Sequence, residues 1–144
     1  MADAIFLYMP EFVSGKTECF RKQCDFSQNT FFRQQTKVIW NDMRRNCQGL
    51  GANLASVHNK PENEFLLGLL PTASSRGWIG AHDGEQEGQW LWTNGTVNDF
   101  TNWCAGEPNN LGTENCVDIN WTSNRCWNDW TCAGQIGYFC VTDA

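Results

Sequence analysis

The chain has 144 residues, with 10 basic and 16 acidic side chains and a formal net charge of −6. This acidic balance, without a Lys/Arg-rich stripe, argues against nucleic-acid binding, and no run of about 18 apolar residues is present to insert into a membrane. Because 41% of the residues are hydrophobic and 13% aromatic, the chain is not disordered, and its length predicts one domain over residues 1–144.

Two segments in the first half of the chain have the pattern of amphipathic helices. Residues 1–18 are expected to be irregular or extended. In segment 36–48 the apolar residues recur every three or four positions and glycines follow, which predicts a helix with one apolar stripe. Segment 61–70 predicts a second helix, since Pro61 suits the first helical position and Pro71 ends the pattern.

The second half of the chain has the pattern of short strands. Four segments are apolar or aromatic and are bounded by Gly, Asn and Thr: 77–81, 89–92, 116–121 and 137–141. Between the second and third of them, residues 93–115 form a long polar stretch rich in Asn, Gly and Thr, and loops of that length are usually functional. Helices followed by a mostly antiparallel sheet predict the α+β class.

The chain contains eight cysteines, which indicate either disulfides or a metal site. Zinc sites favour two closely spaced pairs, and only Cys19 and Cys24 have such a spacing. Disulfides would place the protein in an oxidising compartment, and the sequons at Asn94 and Asn120 are compatible with secretion. The N-terminal residues do not form a secretory signal, so we expect a mature chain with an added Met1. A cytosolic protein with reduced thiols is the alternative.

A series of short motifs resembles the C-type lectin-like domain, in both order and spacing. The motifs are Trp78-Ile79-Gly80, Glu107-Pro108-Asn109, Glu114-Asn115-Cys116 and Trp127-Asn128-Asp129 followed by Cys132. The resemblance covers about residues 30–141 and leaves 1–29 as an N-terminal extension. It implies a C-type lectin-like fold in which two helices flank a mostly antiparallel sheet and disulfides hold a long loop that binds calcium and sugar.

The oxygen-bearing side chains of these motifs suit calcium as a cofactor. Ca²⁺ takes six to eight oxygen ligands, and three carboxylates with two amides would supply part of that shell. Because no histidine or thiolate is needed, zinc and copper are less suitable. The resemblance implies that the Glu107–Pro108 bond is cis, so that both flanking side chains face one ion. The expected ligands are Glu107, Asn109, Glu114, Asn128 and Asp129.

The same five residues are expected to bind sugar, with Trp130 as an accessory contact. Two vicinal hydroxyls can complete the calcium shell while the carboxylates accept and the amides donate hydrogen bonds. In the family, the Glu-Pro-Asn form goes with mannose, GlcNAc, glucose and fucose. Galactose or GalNAc is the alternative, if an aromatic ring stacks on the apolar face of the sugar.

Some family members bind a second calcium ion, and the corresponding positions can be identified here. Two of them carry amides where acids are common, which weakens calcium binding. The positions are Asp83, Glu87, Asn110, Glu114 and Asn115.

The resemblance implies two disulfides, Cys47–Cys140 and Cys116–Cys132. Cys104 and Cys126 each stand just before a motif of the calcium site, and we predict that they pair and tie the sugar-binding loop to the Asn-Asp strand. Cys19–Cys24 would then close a short N-terminal loop. The alternative is that a cysteine of one of these last two pairs is linked to another chain.

These observations favour a binding protein over an enzyme. The sequence has two histidines, His58 and His82, and no motif of a catalytic nucleophile. We expect a secreted lectin whose partners are glycans or glycoproteins on cell surfaces, acting as an agglutinin or in innate immune recognition. Because single sugar sites are weak, we also expect a homo- or hetero-oligomer. The alternative function is binding of a protein partner or of ice by the same fold.

Overall fold

The computed structural model describes residues 24–26 and 29–143, which contain two helices and eight strands. In chain order these are β1 (Cys24–Phe26), β2 (Asn29–Val38), α1 (Trp40–Gly49), β3 (Asn53–Leu54), α2 (Lys60–Gly68), β4 (Gly77–His82), β5 (Leu91–Trp92), β6 (Cys116–Ile119), β7 (Trp127–Trp130) and β8 (Ile136–Asp143). The predicted α+β class is confirmed. The expected irregular segment 1–18 and the Cys19–Cys24 disulfide lie outside the described residues.

Both helices are found, but the first begins four residues later than predicted. Residues 36–38 belong to β2, because this strand continues along β8 as far as the pair Val38–Ile136. The two β-branched residues of this stretch favour the extended conformation. Helix α2 begins close to its predicted start, where the Asn59 side chain accepts a hydrogen bond from the Glu62 backbone N–H at 2.9 Å.

The eight strands form one sheet in the order β1-β2-β8-β4-β6-β7, with β3 added to β8 and β5 added to β4. Every pairing is antiparallel except that between β4 and β8. Strands β6 and β7 therefore lie at the opposite edge from β1. Strands β1, β2 and β3 were not predicted, since β1 and β3 have only three and two residues and β2 does not alternate between apolar and polar residues.

The core consists of two groups of buried side chains. One group includes Ile79, Phe139 and Trp127 and is covered by α2, and the other surrounds Trp78 and includes Met43 of α1. Trp78 and Trp127 are fully buried. Their burial keeps β4 and β7 fixed next to β6.

Three disulfides connect the described part of the chain, and they are the pairs expected for these six cysteines. Cys47–Cys140 joins α1 to β8, Cys116–Cys132 joins β6 to the turn after β7, and Cys104–Cys126 joins the long loop to the residue before β7. The first spans 93 residues; in the chain-entropy model a loop of that size stabilises the fold by roughly 4–5 kcal/mol. None of the helices in the described ranges could cross a membrane.

Candidate functional site

The long polar loop between β5 and β6 is fastened to the start of β7. Trp103 and Trp127 form an isolated parallel bridge. The Trp127 N–H donates to the Asn102 carbonyl at 2.8 Å, and the Cys104 N–H donates to the Trp127 carbonyl at 2.9 Å. With the Cys104–Cys126 disulfide, these contacts hold the Glu-Pro-Asn motif next to the Trp-Asn-Asp motif.

The side-chain carboxylate of Asp129 holds the backbone of the Glu-Pro-Asn turn. The Glu107–Pro108 bond is cis, and the two residues after it point their N–H groups at one carboxylate. Asn109 donates to Asp129 Oδ1 at 3.0 Å, and Asn110 donates to Asp129 Oδ2 at 2.8 Å. Asp129 is buried, so this pair of bonds satisfies a carboxylate that water does not reach.

Four of the five expected calcium ligands come together around this turn. We call them the carboxylate–amide cluster: Glu107, Asn109, Glu114 and Asp129. The Asn109 amide donates to Glu107 Oε2 at 3.2 Å. The Leu111 N–H lies 3.0 Å from both Asn109 Oδ1 and Glu114 Oε2, which brings Glu114 to the same loop. Leu111 itself is 77% exposed beside the cluster.

The fifth expected ligand, Asn128, is held from the neighbouring strand. Its Nδ2 donates to Asp118 Oδ1 at 3.2 Å, and both residues are buried. Arg76 Nε donates to the other oxygen of Asp118 at 2.5 Å. Burial raises the pKa of Asp118, while Arg76 and Asn128 oppose that rise. Neither Asp118 nor Arg76 belongs to a sequence motif, so the sequence alone does not point to them.

The carboxylate–amide cluster brings several carboxylates together where they are partly desolvated. Desolvation, followed by the hydrogen bond and charge of Asp129 and the charge of Glu114, raises the pKa of Glu107 to about 7. Desolvation also raises the pKa of Glu114. Glu107 Oε1 is buried without a hydrogen-bond partner. An unpaired carboxylate oxygen among other carboxylates is suited to a cation.

These side chains could hold a cation only if carboxylate and amide oxygens act together as ligands. Within 24–26 and 29–143, no group of three or more His, Cys, Asp or Glu side chains is arranged to hold a metal ion. The oxygens of Asn109 and Glu114 accept backbone hydrogen bonds in this arrangement. Binding of calcium would therefore draw on the amide oxygens as well as the carboxylates.

Most positions of the expected second calcium site also lie near one another. The Asp83 N–H donates to the Asn115 carbonyl at 3.2 Å, and Asp83 Oδ1 is buried without a partner. Partial desolvation, followed by the charge of Asp83, raises the pKa of Glu87. Asn110 Oδ1 accepts a hydrogen bond from the Glu114 N–H at 2.9 Å, which connects this group to the cluster.

The half-buried ring of Trp130 packs against other side chains. It lies against Trp78, with centroids 5.4 Å apart, and the Arg76 guanidinium lies 4.1 Å from its centroid. A Cβ at Gly134 would overlap the same ring. These neighbours cover part of the ring, and its role as an accessory sugar contact stays a prediction. Arg76 also contacts the exposed ring of Trp121, at 4.6 Å.

A Ser–His–Asp arrangement occurs elsewhere in the molecule. The His58 ring lies 2.7 Å from Asp99 Oδ1 through Nδ1 and 3.0 Å from Ser56 Oγ through Nε2. Ser56 is only 5% exposed, and its Oγ also accepts a hydrogen bond from Asn94. A nucleophile must reach its substrate, so this arrangement is a structural link between the core and the long loop rather than a catalytic triad.

Residues 36–142 of the chain match the family model of the Lectin C-type domain. Ladderlectin from Oncorhynchus mykiss is 40% identical over 125 residues, which cover 81% of this chain and 66% of ladderlectin. The chain therefore spans slightly less than two thirds of that relative.

Two solved structures share the fold at similar levels of identity. The herring type II antifreeze protein superposes with a TM-score of 0.81 at 30% identity, covering 88% of this chain and 99% of that one. The carbohydrate-recognition domain of cow CD23, studied in the presence of a GlcNAc2Man3 oligosaccharide, superposes with a TM-score of 0.76 at 29% identity, covering 88% and 97%.

Proposed function

Because the chain belongs to the C-type lectin family, we propose that it binds Ca²⁺ and, through the bound ion, a terminal sugar. The carboxylate–amide cluster, with Asn128, supplies the ligands. The sugar presents two vicinal hydroxyls as neutral oxygen ligands of the same ion. The protein is a binding protein and not an enzyme.

The observation that carries this proposal is the unpaired Oε1 of Glu107. A buried carboxylate oxygen without a donor is costly, and repulsion from Asp129 and Glu114 adds to that cost. A divalent cation relieves both effects at once, since it coordinates the free oxygen and neutralises the neighbouring charges. Ca²⁺ is the cation that accepts such a mixture of carboxylate and amide oxygens.

The arrangement of acid and amide side chains supports recognition of hydroxyl groups. Glu107 and Asn109 flank the cis proline, so that an acceptor and a donor lie side by side. We propose mannose, GlcNAc or fucose as the preferred terminal sugars, with galactose or GalNAc as the alternative. Leu111, exposed between the ligands, is placed to contact the sugar ring.

A second calcium ion is part of the proposal. It would bind at Asp83, Glu87, Asn110, Glu114 and Asn115. The buried and unpaired Oδ1 of Asp83 supports this site in the same way as Glu107 supports the first. Because Asn110 and Asn115 carry no charge, this site is expected to be the weaker of the two.

Retention on sugar resins tests the function directly. The protein is applied in calcium to columns of immobilised mannose and of immobilised galactose, and EDTA is then added. We expect retention on mannose that EDTA abolishes. Glu107→Gln should lose retention, while Glu64→Gln, a change of an exposed acid on α2, should keep it. Absence of EDTA-sensitive retention on both resins would refute the proposal.

Ice binding is the second candidate, because the herring antifreeze protein has the same fold at 30% identity. An ice-binding protein would inhibit ice recrystallisation and would not be retained on either sugar resin. The two candidates are separated when the same preparation is tested in both assays, with and without EDTA.

The family and the disulfides also support a proposal about where the protein acts and what it binds. We propose a secreted protein that binds glycans or glycoproteins on cell surfaces, as an agglutinin or in innate immune recognition. Weak single sites gain useful strength when several bind together, so an oligomer, with or without disulfide links, is also proposed. Sedimentation in calcium, with and without reductant, measures the size of that assembly.

A further inference from the structure

The chain contains two Asn-x-Thr sequons, and the structure places their asparagines in different surroundings. One is Asn94-Gly95-Thr96, in the turn after β5, and the other is Asn120-Trp121-Thr122, after β6. An asparagine side-chain nitrogen carries two hydrogens, and an N-linked glycan replaces one of them. A nitrogen that donates two hydrogen bonds must therefore lose one of them when a glycan is attached, whereas a nitrogen that donates one need not.

The amide of Asn120 uses both of its hydrogens. Its Nδ2 donates to the backbone carbonyls of Ala73 at 2.9 Å and Ser75 at 2.6 Å. Its Oδ1 accepts a hydrogen bond from Arg125 at 3.1 Å, and the residue is only 4% exposed. A sugar on this nitrogen would remove the donor of one of these carbonyls and would have to occupy a packed region. Such a loss costs roughly 1–3 kcal/mol before any steric clash is counted.

The amide of Asn94 donates one hydrogen bond within the described part of the chain, to Ser56 Oγ at 2.7 Å. The second hydrogen of Nδ2 is therefore available for replacement while the bond to Ser56 persists. The residue is half-buried, and the residues that follow it, 95–99, are exposed. A glycan attached here has solvent to extend into.

The turn also holds the sequon in a fixed arrangement. The Thr96 hydroxyl donates to Asn94 Oδ1 at 2.6 Å, and the Thr96 N–H donates to the same oxygen at 3.1 Å. Gly95 lies between them with a φ of +78°, a conformation that glycine adopts readily. The Asn94 side-chain oxygen is therefore occupied by the two hydrogen bonds from Thr96, and the side-chain nitrogen takes no part in this turn.

From these contacts we propose that Asn94 carries an N-linked glycan in the folded, secreted protein and that Asn120 does not. The reaction takes an oligosaccharide from a lipid pyrophosphate donor. A bond forms between the anomeric carbon and Asn94 Nδ2, the bond from that carbon to the phosphate oxygen breaks, and one proton leaves the nitrogen. The proposal rests on the proposed secretion, since the donor is found in the secretory pathway.

Glycopeptide mass spectrometry tests the choice between the two sites. The full chain is expressed behind a supplied signal peptide in a eukaryotic host that glycosylates a co-expressed reference protein. We expect glycan on the peptide that contains Asn94 and none on the peptide that contains Asn120. Thr96→Ala removes the first sequon and should abolish the glycan, while Thr122→Ala removes the second and should leave it unchanged.

Two results would overturn this proposal: glycan on Asn120 in the secreted protein, or a secreted protein without glycan on Asn94. Both Thr variants keep the asparagines: Thr122→Ala leaves the amide contacts of Asn120 intact, and Thr96→Ala removes only the hydroxyl bond to Asn94 Oδ1. A folding defect of Asn94→Gln or Asn120→Gln therefore does not affect the conclusion. Sugar-resin retention is measured separately on enzymatically deglycosylated protein. A glycan on Asn94 with no retention would therefore refute the proposed function alone.

Discussion

Asn128 donates a hydrogen bond from its side-chain nitrogen to the buried Asp118 carboxylate, across the pairing of β7 with β6. This contact fixes which end of the Asn128 amide faces Asp118 and turns its oxygen away from that residue. Arg76 completes the arrangement by pairing with the second oxygen of Asp118. Asp118 is thus a positioning residue for a proposed calcium ligand.

Arg76→Met should destabilise the protein strongly. The substitution leaves the Asp118 charge buried without its cation, and breaking a buried pair in this way costs about 3–5 kcal/mol. Urea unfolding followed by tryptophan fluorescence measures the loss. The matched control is Arg45→Met, which breaks an exposed pair with Asp42 and should cost about 0–1 kcal/mol. Equal losses in the two variants would contradict this interpretation.

Calcium should raise the thermal stability of the protein, and chelation should reverse the effect. A ligand that binds only the folded state at 100 times its Kd adds about 2.7 kcal/mol to the free energy of unfolding. Glu107→Gln should reduce this gain, because it removes the charge beside the unpaired oxygen. Differential scanning fluorimetry with added calcium or EDTA provides the measurement, with Glu64→Gln as control. A melting temperature that does not respond to calcium in the unmodified chain would exclude the site.

Removing the Cys104–Cys126 disulfide should impair both stability and calcium binding. The bond spans 22 residues and ties the long loop to the start of β7. In the chain-entropy model a loop of this size contributes about 3 kcal/mol. The double variant Cys104→Ser/Cys126→Ser should also bind calcium more weakly, because only hydrogen bonds then hold the segment of Glu107 next to Asp129. Isothermal titration with calcium checks the second effect, and an unchanged Kd would show that backbone bonds alone hold the loop.

The contact between His58 and Asp99 should make the stability of the protein depend on pH in the acid range. The hydrogen bond from His58 holds the pKa of Asp99 below its ordinary value of 3.8. The ionised carboxylate therefore contributes stability above about pH 4, and this contribution is lost as the pH falls through the lowered pKa. Asp99→Asn should melt earlier than the unmodified chain at pH 7, and the difference should shrink near pH 2. A difference that stays constant over this range would rule out the linkage.

The order and spacing of motifs were enough to predict the class of the fold and the loop that carries the candidate site. The predicted start of the first helix was too early, because β2 extends to Val38 through its pairing with β8. That strand lies about a hundred residues away in the chain. Asp118 and Arg76 could not be predicted, since their roles come from burial and mutual contact and not from any local pattern. The contacts of Trp130 with Trp78 and Arg76 could not be predicted either, since both residues are distant from it in sequence.

Asn29 and Asp143 are partners across β2 and β8, so the start of β2 and the end of β8 lie side by side. Strands β6 and β7, which carry part of the candidate site, lie at the other end of the strand order. A linker joined after β8, which is two strands away from β6 in the sheet, would therefore leave the molecule next to β2. Immobilisation through such a linker is expected to leave the candidate site accessible to a ligand.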